Sequence, residues 1–220
     1  FTSGICSVFG SLLRSIPHIL TCHDVFTEKQ FIGFGGLVKK FFLSLVLLMI
    51  DNIHCVSHDA RNNLLEYLPI LRIFKNKIVV ILNGIETKHF FNAEKRDIRN
   101  EFGLNINDFL IGFLGRFMSQ KGFFYLIEAL EQVKKNKNLL KQPIVLCFSP
   151  EDGFIREEKE NISKKELTGS VLFLPYVADV ASTLKSLDVV VMPSLWEACP
   201  LLPMEAMVAG APLIGTNCIG

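Results

Sequence analysis

Apolar residues fall along this chain in short unbroken runs, separated by longer stretches with helical spacing. Residues 19–21, 53–56, 78–82, 109–114, 144–148, 171–174, 189–192 and 212–214 form such runs. None shows the in-out alternation of a half-exposed strand, so each reads as a strand buried on both faces. The stretches between them read as helices. Residues 33–50 become helical towards their end, and Ser57 is placed to cap a helix opening at His58 or Asp59. Phe123, Leu126, Ile127, Leu130 and Val133 share one stripe of a helix, and 151–167 is a charged, largely exposed one. A further helical stretch is expected at 11–14, before Pro17. Strands without alternation, separated by helices, predict an α/β chain with doubly wound parallel sheets.

Between Phe90 and Asp108 the pattern gives way to charged and polar residues. Asn92 can cap a short helix in which Ile98 and Phe102 share a face and which Gly103 stops. The domain junction is placed here. The expected division is 1–91 for a first, incomplete unit, 92–108 for linker and helix, and 109–220 for a second unit. Since the chain opens on Phe1 and stops just after a strand-like run, it reads as a fragment cut at both ends.

Composition narrows the classes. Half of the 220 residues are hydrophobic and the formal charge is +1, which predicts a packed core and gives no argument for nucleic acid as a partner. Six cysteines, with no C-x-x-C pair, read as free thiols of a reducing compartment. The longest apolar run, 41–50, is half of what a spanning helix needs. Behind Lys39 and Lys40 it reads first as a core helix with an exposed basic start. The alternative is a segment docking peripherally on an anionic bilayer.

Chemistry concentrates in the last strand–helix unit. After the run 189–192 come Pro193-Ser194, then Glu197 and Glu205 with prolines and leucines between them. Pro203 suits a helix first turn, where its missing N–H would be unpaired anyway. Met204, Met207 and Val208 give that helix an apolar face, and Gly210 ends it. A strand feeding a helix N-terminus offers unpaired amides and the positive end of the helix dipole to an anion. Glu205, in the first turn, can bond the hydroxyls of whatever carries that anion. Ligands of open parallel sheets bind beyond the carboxyl ends of the strands. The residues found there are His23, Asn83, Arg116, Lys121, Glu197 and Glu205. Two cations with two carboxylates suit a ligand bearing both phosphate and hydroxyl groups. His54, inside an apolar run, reads as a satisfied core residue, and Trp196 as packing.

Five segments carry a family resemblance: Thr21-Cys-His-Asp24, Val56-Ser57, Asn83-Gly-Ile-Glu86 with Phe90, Gly115-Arg116 with Lys121-Gly122, and Pro193-Ser194 with Glu197 and Glu205, which have seven residues between them. In this order they resemble the retaining glycosyltransferases of family four. That resemblance implies the GT-B fold of two facing Rossmann-like domains. It also implies transfer of a sugar from a UDP-, GDP- or ADP-linked donor to a saccharide or lipid-linked acceptor, without metal or other cofactor, in the cytoplasm or on the inner face of the membrane. By the same resemblance Gly115, Arg116 and Lys121 grip the diphosphate, with the amides of Leu201 and Leu202, and Glu205 holds the ribose. Glu197 and His23 are then the catalytic candidates, Glu197 facing the donor sugar and His23 the acceptor side. Where the family carries Gly-x-Gly after the second strand of its donor domain, this chain has Ser149-Pro-Glu-Asp-Gly153, and Pro175 replaces a common glycine. A nucleotide-sugar epimerase of the same fold and a non-catalytic nucleotide-sugar-binding module are the alternatives.

Overall fold

The computed structural model describes residues 8, 10, 11, 16–149 and 155–219. The helical stretch expected at 12–14, the opening residues of the one expected from 151, and the Pro150–Gly153 departure lie outside the described residues. The chain divides into two compact units, one reaching to Asn83 and including Glu197–Cys199, the other formed by Gly84–Trp196 and Pro200–Cys218.

Among the described residues of the first unit, three parallel strands, β1 (Ile19–Cys22), β2 (Asn52–Cys55) and β3 (Ile78–Val80), lie in sequence order. Helix α1 (Gly33–Leu48) joins the first two and α2 (His58–Tyr67) follows the second. Ser57 caps α2, its hydroxyl accepting from the Ala60 N–H at 3.0 Å. The exit of β1 is clipped to α2 by a side chain that patterning did not single out. Buried Asn63 accepts from the Phe26 N–H at 2.6 Å and donates to the Phe26 carbonyl at 3.0 Å. His54 bonds Thr21 Oγ1 at 3.3 Å and the Ile81 carbonyl at 2.9 Å, a satisfied residue as expected. Helix α1 is helical from Gly33 onward, earlier than expected. It buries Gly36, Leu43 and Leu47 on one face while its opposite, apolar face is exposed.

The second unit holds a five-stranded parallel sheet among the described residues, in the order β6-β5-β4-β7-β8. Its strands are β4 (Asp108–Leu114), β5 (Gln142–Phe148), β6 (Val171–Leu174), β7 (Val189–Met192) and β8 (Leu213–Gly215). Order reverses between β5 and β7 on either side of β4, the switch point of a doubly wound sheet. Helices α3 (Thr87–Asn92) and α4 (Ile98–Glu101) precede the sheet; α5 (Phe123–Lys134), α6 (Ile155–Lys164), α7 (Val180–Leu184) and α8 (Leu202–Ala209) connect its strands. The units part at Asn83–Gly84, nearer the amino terminus than composition suggested, because buried Phe90 and Ile98 pack into the core of the second unit. Asn92 ends α3; the cap of α4 is Asp97, which accepts from the Asn100 N–H at 3.2 Å. The α5 stripe buries Phe123, Leu126, Ile127 and Leu130 but leaves Val133 exposed beyond the reach of the sheet. Among the described cysteines Cys55 and Cys147 are buried, all are free thiols, and no helix is long and apolar enough to cross a membrane.

Candidate functional site

The loop after β4 starts at Gly115 and runs through Arg116 into a 3₁₀ turn, Ser119–Lys121. Phe117 fixes it: 2% exposed, its ring stands 4.9 Å from that of Phe123 and 5.4 Å from that of Phe173. With Phe117 turned inward, neighbouring Arg116 is exposed. Lys121 follows, and Gly122, at φ +65, opens α5.

This loop is bonded to the one after β7. The Leu195 N–H donates to the Gln120 carbonyl at 2.8 Å, and Gln120 Nε2 to the Trp196 carbonyl at 2.9 Å. Thr216, after β8, donates through its hydroxyl to the Ser194 carbonyl. Loops from three strands of one sheet are thereby held in register, a role for Gln120 and Thr216 that motif reading missed. A glutamine immediately before the Lys-Gly opening of α5 gave no signal, because its function depends on which loop it faces.

Helix α8 then begins, with Pro203 in its first turn as expected and Gly210 closing it in left-handed conformation at φ +77. Its buried face is made by Ala206 and Ala209, while Met207 is exposed. Small residues allow α8 to lie close on its neighbours, correcting the methionine face expected from sequence. The first intrahelical bond, from the Glu205 N–H to the Leu201 carbonyl at 3.0 Å, leaves the preceding amides without a partner inside the helix.

Lys121, Ser194, Leu201 and Leu202 line one cavity of about 170 Å³ at the carboxyl ends of β4 and β7. Three of the predicted donor-binding residues therefore meet at one place: a cation and the opening of α8. Gly115 and Arg116 follow the same strand, and Glu205 lies one turn into α8, half-buried, its carboxyl pushed upward by desolvation. A second cavity, of about 580 Å³, adjoins the carboxyl ends of β5 and β6, where Phe148, Pro175, Tyr176 and Val177 meet the Arg96–Glu101 ion pair. Glu197 and His23 lie outside both cavities. Glu197 is 7% exposed, and its backbone N–H donates to the Ile219 carbonyl at 2.9 Å. His23 stands exposed at the exit of β1. No group of three metal-ligating side chains occurs among the described residues.

Comparison with known proteins gives the family. Residues 94–220 match the family model described as glycosyl transferases group 1, and residues 2–89 the one described as Glycosyltransferase Family 4. The chain belongs to the group 1 glycosyl transferases. It is 34% identical over 227 residues to an Escherichia coli UDP-Gal:alpha-D-GlcNAc-diphosphoundecaprenol alpha-1,3-galactosyltransferase, covering 99% of this chain and 57% of that protein. It is 30% identical over 211 residues to an uncharacterized glycosyltransferase of Methanocaldococcus jannaschii, covering 94% and 52%. The chain thus spans about half the length of the curated relatives it matches. Among solved structures, Anabaena HepE in complex with UDP and glucose superposes with a TM-score of 0.79 at 18% identity, over 99% of this chain and 57% of that one. The fold of this glycosyl transferase chain is the GT-B α/β fold with parallel sheets.

Proposed function

We propose that the chain is part of a retaining, metal-independent glycosyltransferase that moves a sugar from a nucleoside diphosphate to a saccharide or lipid-linked acceptor. One observation carries this reading: Lys121 and the N-terminus of α8 converge on a single cavity at the carboxyl ends of β4 and β7. Breaking a glycosyl–phosphate bond leaves an oxocarbenium-like sugar and an anionic diphosphate. Fixed cations and backbone dipoles aimed at the departing oxygens lower that barrier most effectively. Lys121, exposed Arg116 and the amides of Leu201 and Leu202 supply this charge, so the reaction as read needs no metal. Gly115 lets the loop begin directly at the strand end. Glu205 takes the ribose hydroxyls, and the larger cavity around Pro175 and Tyr176 takes the base. Glu197 and His23 act at the sugar and on the acceptor side, as the family resemblance implies.

Two relatives support the substrate class. HepE is seen bound to UDP and glucose, and the E. coli relative is named for a UDP-linked donor and a diphosphoundecaprenol-linked acceptor. A uridine nucleotide and a lipid-linked acceptor, met on the cytoplasmic side, are accordingly the first substrates to try.

Calorimetry with UDP, GDP and ADP, without metal, tests the reading on this chain beside Arg116→Ala and Lys121→Ala. Each substitution removes a charge-assisted phosphate contact of about 1.5–3 kcal/mol, so affinity falls roughly ten- to a hundredfold. Binding of no nucleotide by the folded full-length protein, or binding indifferent to both substitutions, overturns it.

A further inference from the structure

Two thiols face each other across the sheet of the first unit. In its parallel register Cys22, the last residue of β1, stands directly opposite Cys55, the last residue of β2. Directly opposed residues of neighbouring strands point to the same face of a sheet, so both sulfurs lie on one side. Strand spacing sets their Cα atoms about 4.8 Å apart, inside the span of roughly 4.4–6.8 Å that a disulfide bridges. The two thiols are in hydrogen-bond contact. The other described cysteines stand elsewhere: Cys147 is buried in β5, Cys199 precedes α8 and Cys218 follows β8.

Their access to solvent differs. Cys22 is partly exposed and is followed by exposed His23 and Asp24, whereas Cys55 is 0% exposed. An oxidant in solution therefore reaches Cys22 first. Cys55 is the sulfur set to attack afterwards. The hydrogen bond from Cys22 lowers its thiol below the ordinary value, against the desolvation that raises it, and the charge of Arg61 on α2 adds to the lowering. The same bond, with partial burial, holds Cys22 high, so its own reaction with an oxidant is the slow step. A thiolate lying against an oxidised sulfur then closes the bond by exchange.

We propose that Cys22 and Cys55 form a reversible intrachain disulfide when the protein meets a low-molecular-weight disulfide such as oxidised glutathione. The Cys22 thiolate attacks one sulfur of the oxidant, giving a mixed disulfide and releasing one thiol. The Cys55 thiolate then attacks the Cys22 sulfur, closing the cross-strand bond and releasing the second thiol. The protons of both cysteines pass to the departing thiolates; the protein gives up two electrons and the oxidant takes them. Parallel strands hold paired Cβ atoms near the strand spacing of about 4.8 Å, wider than the roughly 3.8 Å usual in a disulfide. The bond is therefore strained and readily reduced, the property of a regulatory disulfide. Closing it draws the exits of β1 and β2 together, immediately before His23 and Val56-Ser57. That puts the switch on the acceptor side of the proposed transferase. The cross-link itself does not rest on that reading, because it forms with neither donor nor acceptor present.

Peptide mapping tests it. After folded protein has met oxidised glutathione, trypsin should release peptides 15–29 and 41–61 joined, each holding one cysteine, and lighter by two hydrogen atoms than the separate pair. Dithiothreitol without denaturant should part them. Cys55→Ser should stop with one glutathione on Cys22. Cys22→Ser should slow modification of Cys55 about tenfold or more, since the buried sulfur has lost its relay. Cys199→Ser should leave the cross-link unchanged. Circular dichroism melts confirm that the variants fold, and the wild-type map stands without them. The proposal is overturned if Cys22 of the folded protein stops at the mixed disulfide or pairs with another cysteine. It is equally overturned if Cys22 and Cys55 join only in denaturant, if their bond resists dithiothreitol in the folded state, or if the full-length protein does not form it.

Discussion

A Cβ on Gly122 would stand 1.9 Å from the carbonyl oxygen of Pro193. The loops after β4 and β7 therefore meet backbone to backbone, and only glycine allows the approach. Gly122 is also left-handed at φ +65, so both space and conformation oppose a side chain. Gly122→Ala must shift one loop, at a cost of about 2–3 kcal/mol. Because Lys121 moves with it, nucleotide affinity should fall as well. Urea titration checks the first effect and calorimetry the second; an alanine variant as stable and as tight-binding as wild type would contradict this account.

Asn63 performs a comparable service in the first unit. Its amide satisfies both the N–H and the carbonyl of Phe26, three residues after His23. Asn63→Leu fills similar volume but strands two buried backbone groups, costing about 2–4 kcal/mol. Asn63→Asp keeps the acceptor and loses the donor, so it should lie between leucine and wild type. That ordering in chemical denaturation separates a hydrogen-bonding role from simple packing, for which leucine would be the milder change.

The parallel sheets were legible because buried strands must be apolar on both faces, as 144–148 and 189–192 are. Gly103 and Gly210 announced their left-handed turns, and Ser57 its cap, since these depend on local backbone chemistry. What escaped depends on which distant elements meet. Asn92 was as good a local cap as Asp97, and only the seating of Phe90 and Ile98 in the second core decided between them. Asn63 and Gln120 look like surface amides until the loops they hold are seen. Met207 fits a helical stripe, yet the packing of α8 calls for alanine. The candidate site was legible in part: the Lys121 loop and the α8 N-terminus came together, while the outward apolar face of α1 was taken first for core.

Asp188 shows the same principle at the base of the sheet. Its Oδ2 accepts from the Leu110 N–H at 2.7 Å and from Arg99 Nη2 at 3.1 Å, tying β4 to α4. Asp188→Ala leaves a strand amide and a guanidinium without their shared acceptor, and should cost about 1.5–3 kcal/mol. Nucleotide affinity measured well below the melting temperature should be unchanged, because the aspartate precedes β7 while the cavity lies beyond its far end. A loss of binding in a folded Asp188→Ala protein would show that β4 transmits the strain to the Lys121 loop.

A chelator offers a direct check of the charge assignment. With Arg116, Lys121 and the α8 amides supplying the positive field, EDTA should leave nucleotide affinity unchanged within a factor of about two, a free-energy change near 0.4 kcal/mol. Added magnesium should not raise it. Binding that appears only with a divalent cation would move the diphosphate away from this arrangement.

Glu205 couples stability to function with a definite sign. Burial pushes its carboxyl above the ordinary value of 4.5, so the folded state prefers the protonated form more than the unfolded chain does. Below the unfolded value both states are protonated and this contribution to stability is fully present. As pH rises through the folded value, the folded protein must ionise a half-buried group, and the contribution is lost. Glu205→Gln cannot ionise, so it should melt with wild type at pH 4 and higher than wild type at pH 7. Since the side chain is only partly desolvated, the gain should be modest, about 2 °C. The same substitution removes the carboxylate assigned to the ribose hydroxyls and should weaken nucleotide binding about tenfold or more. A residue whose removal stabilises the fold while costing affinity is retained for its ligand. A glutamine variant that melts lower than wild type at pH 7 would instead make Glu205 a structural carboxylate.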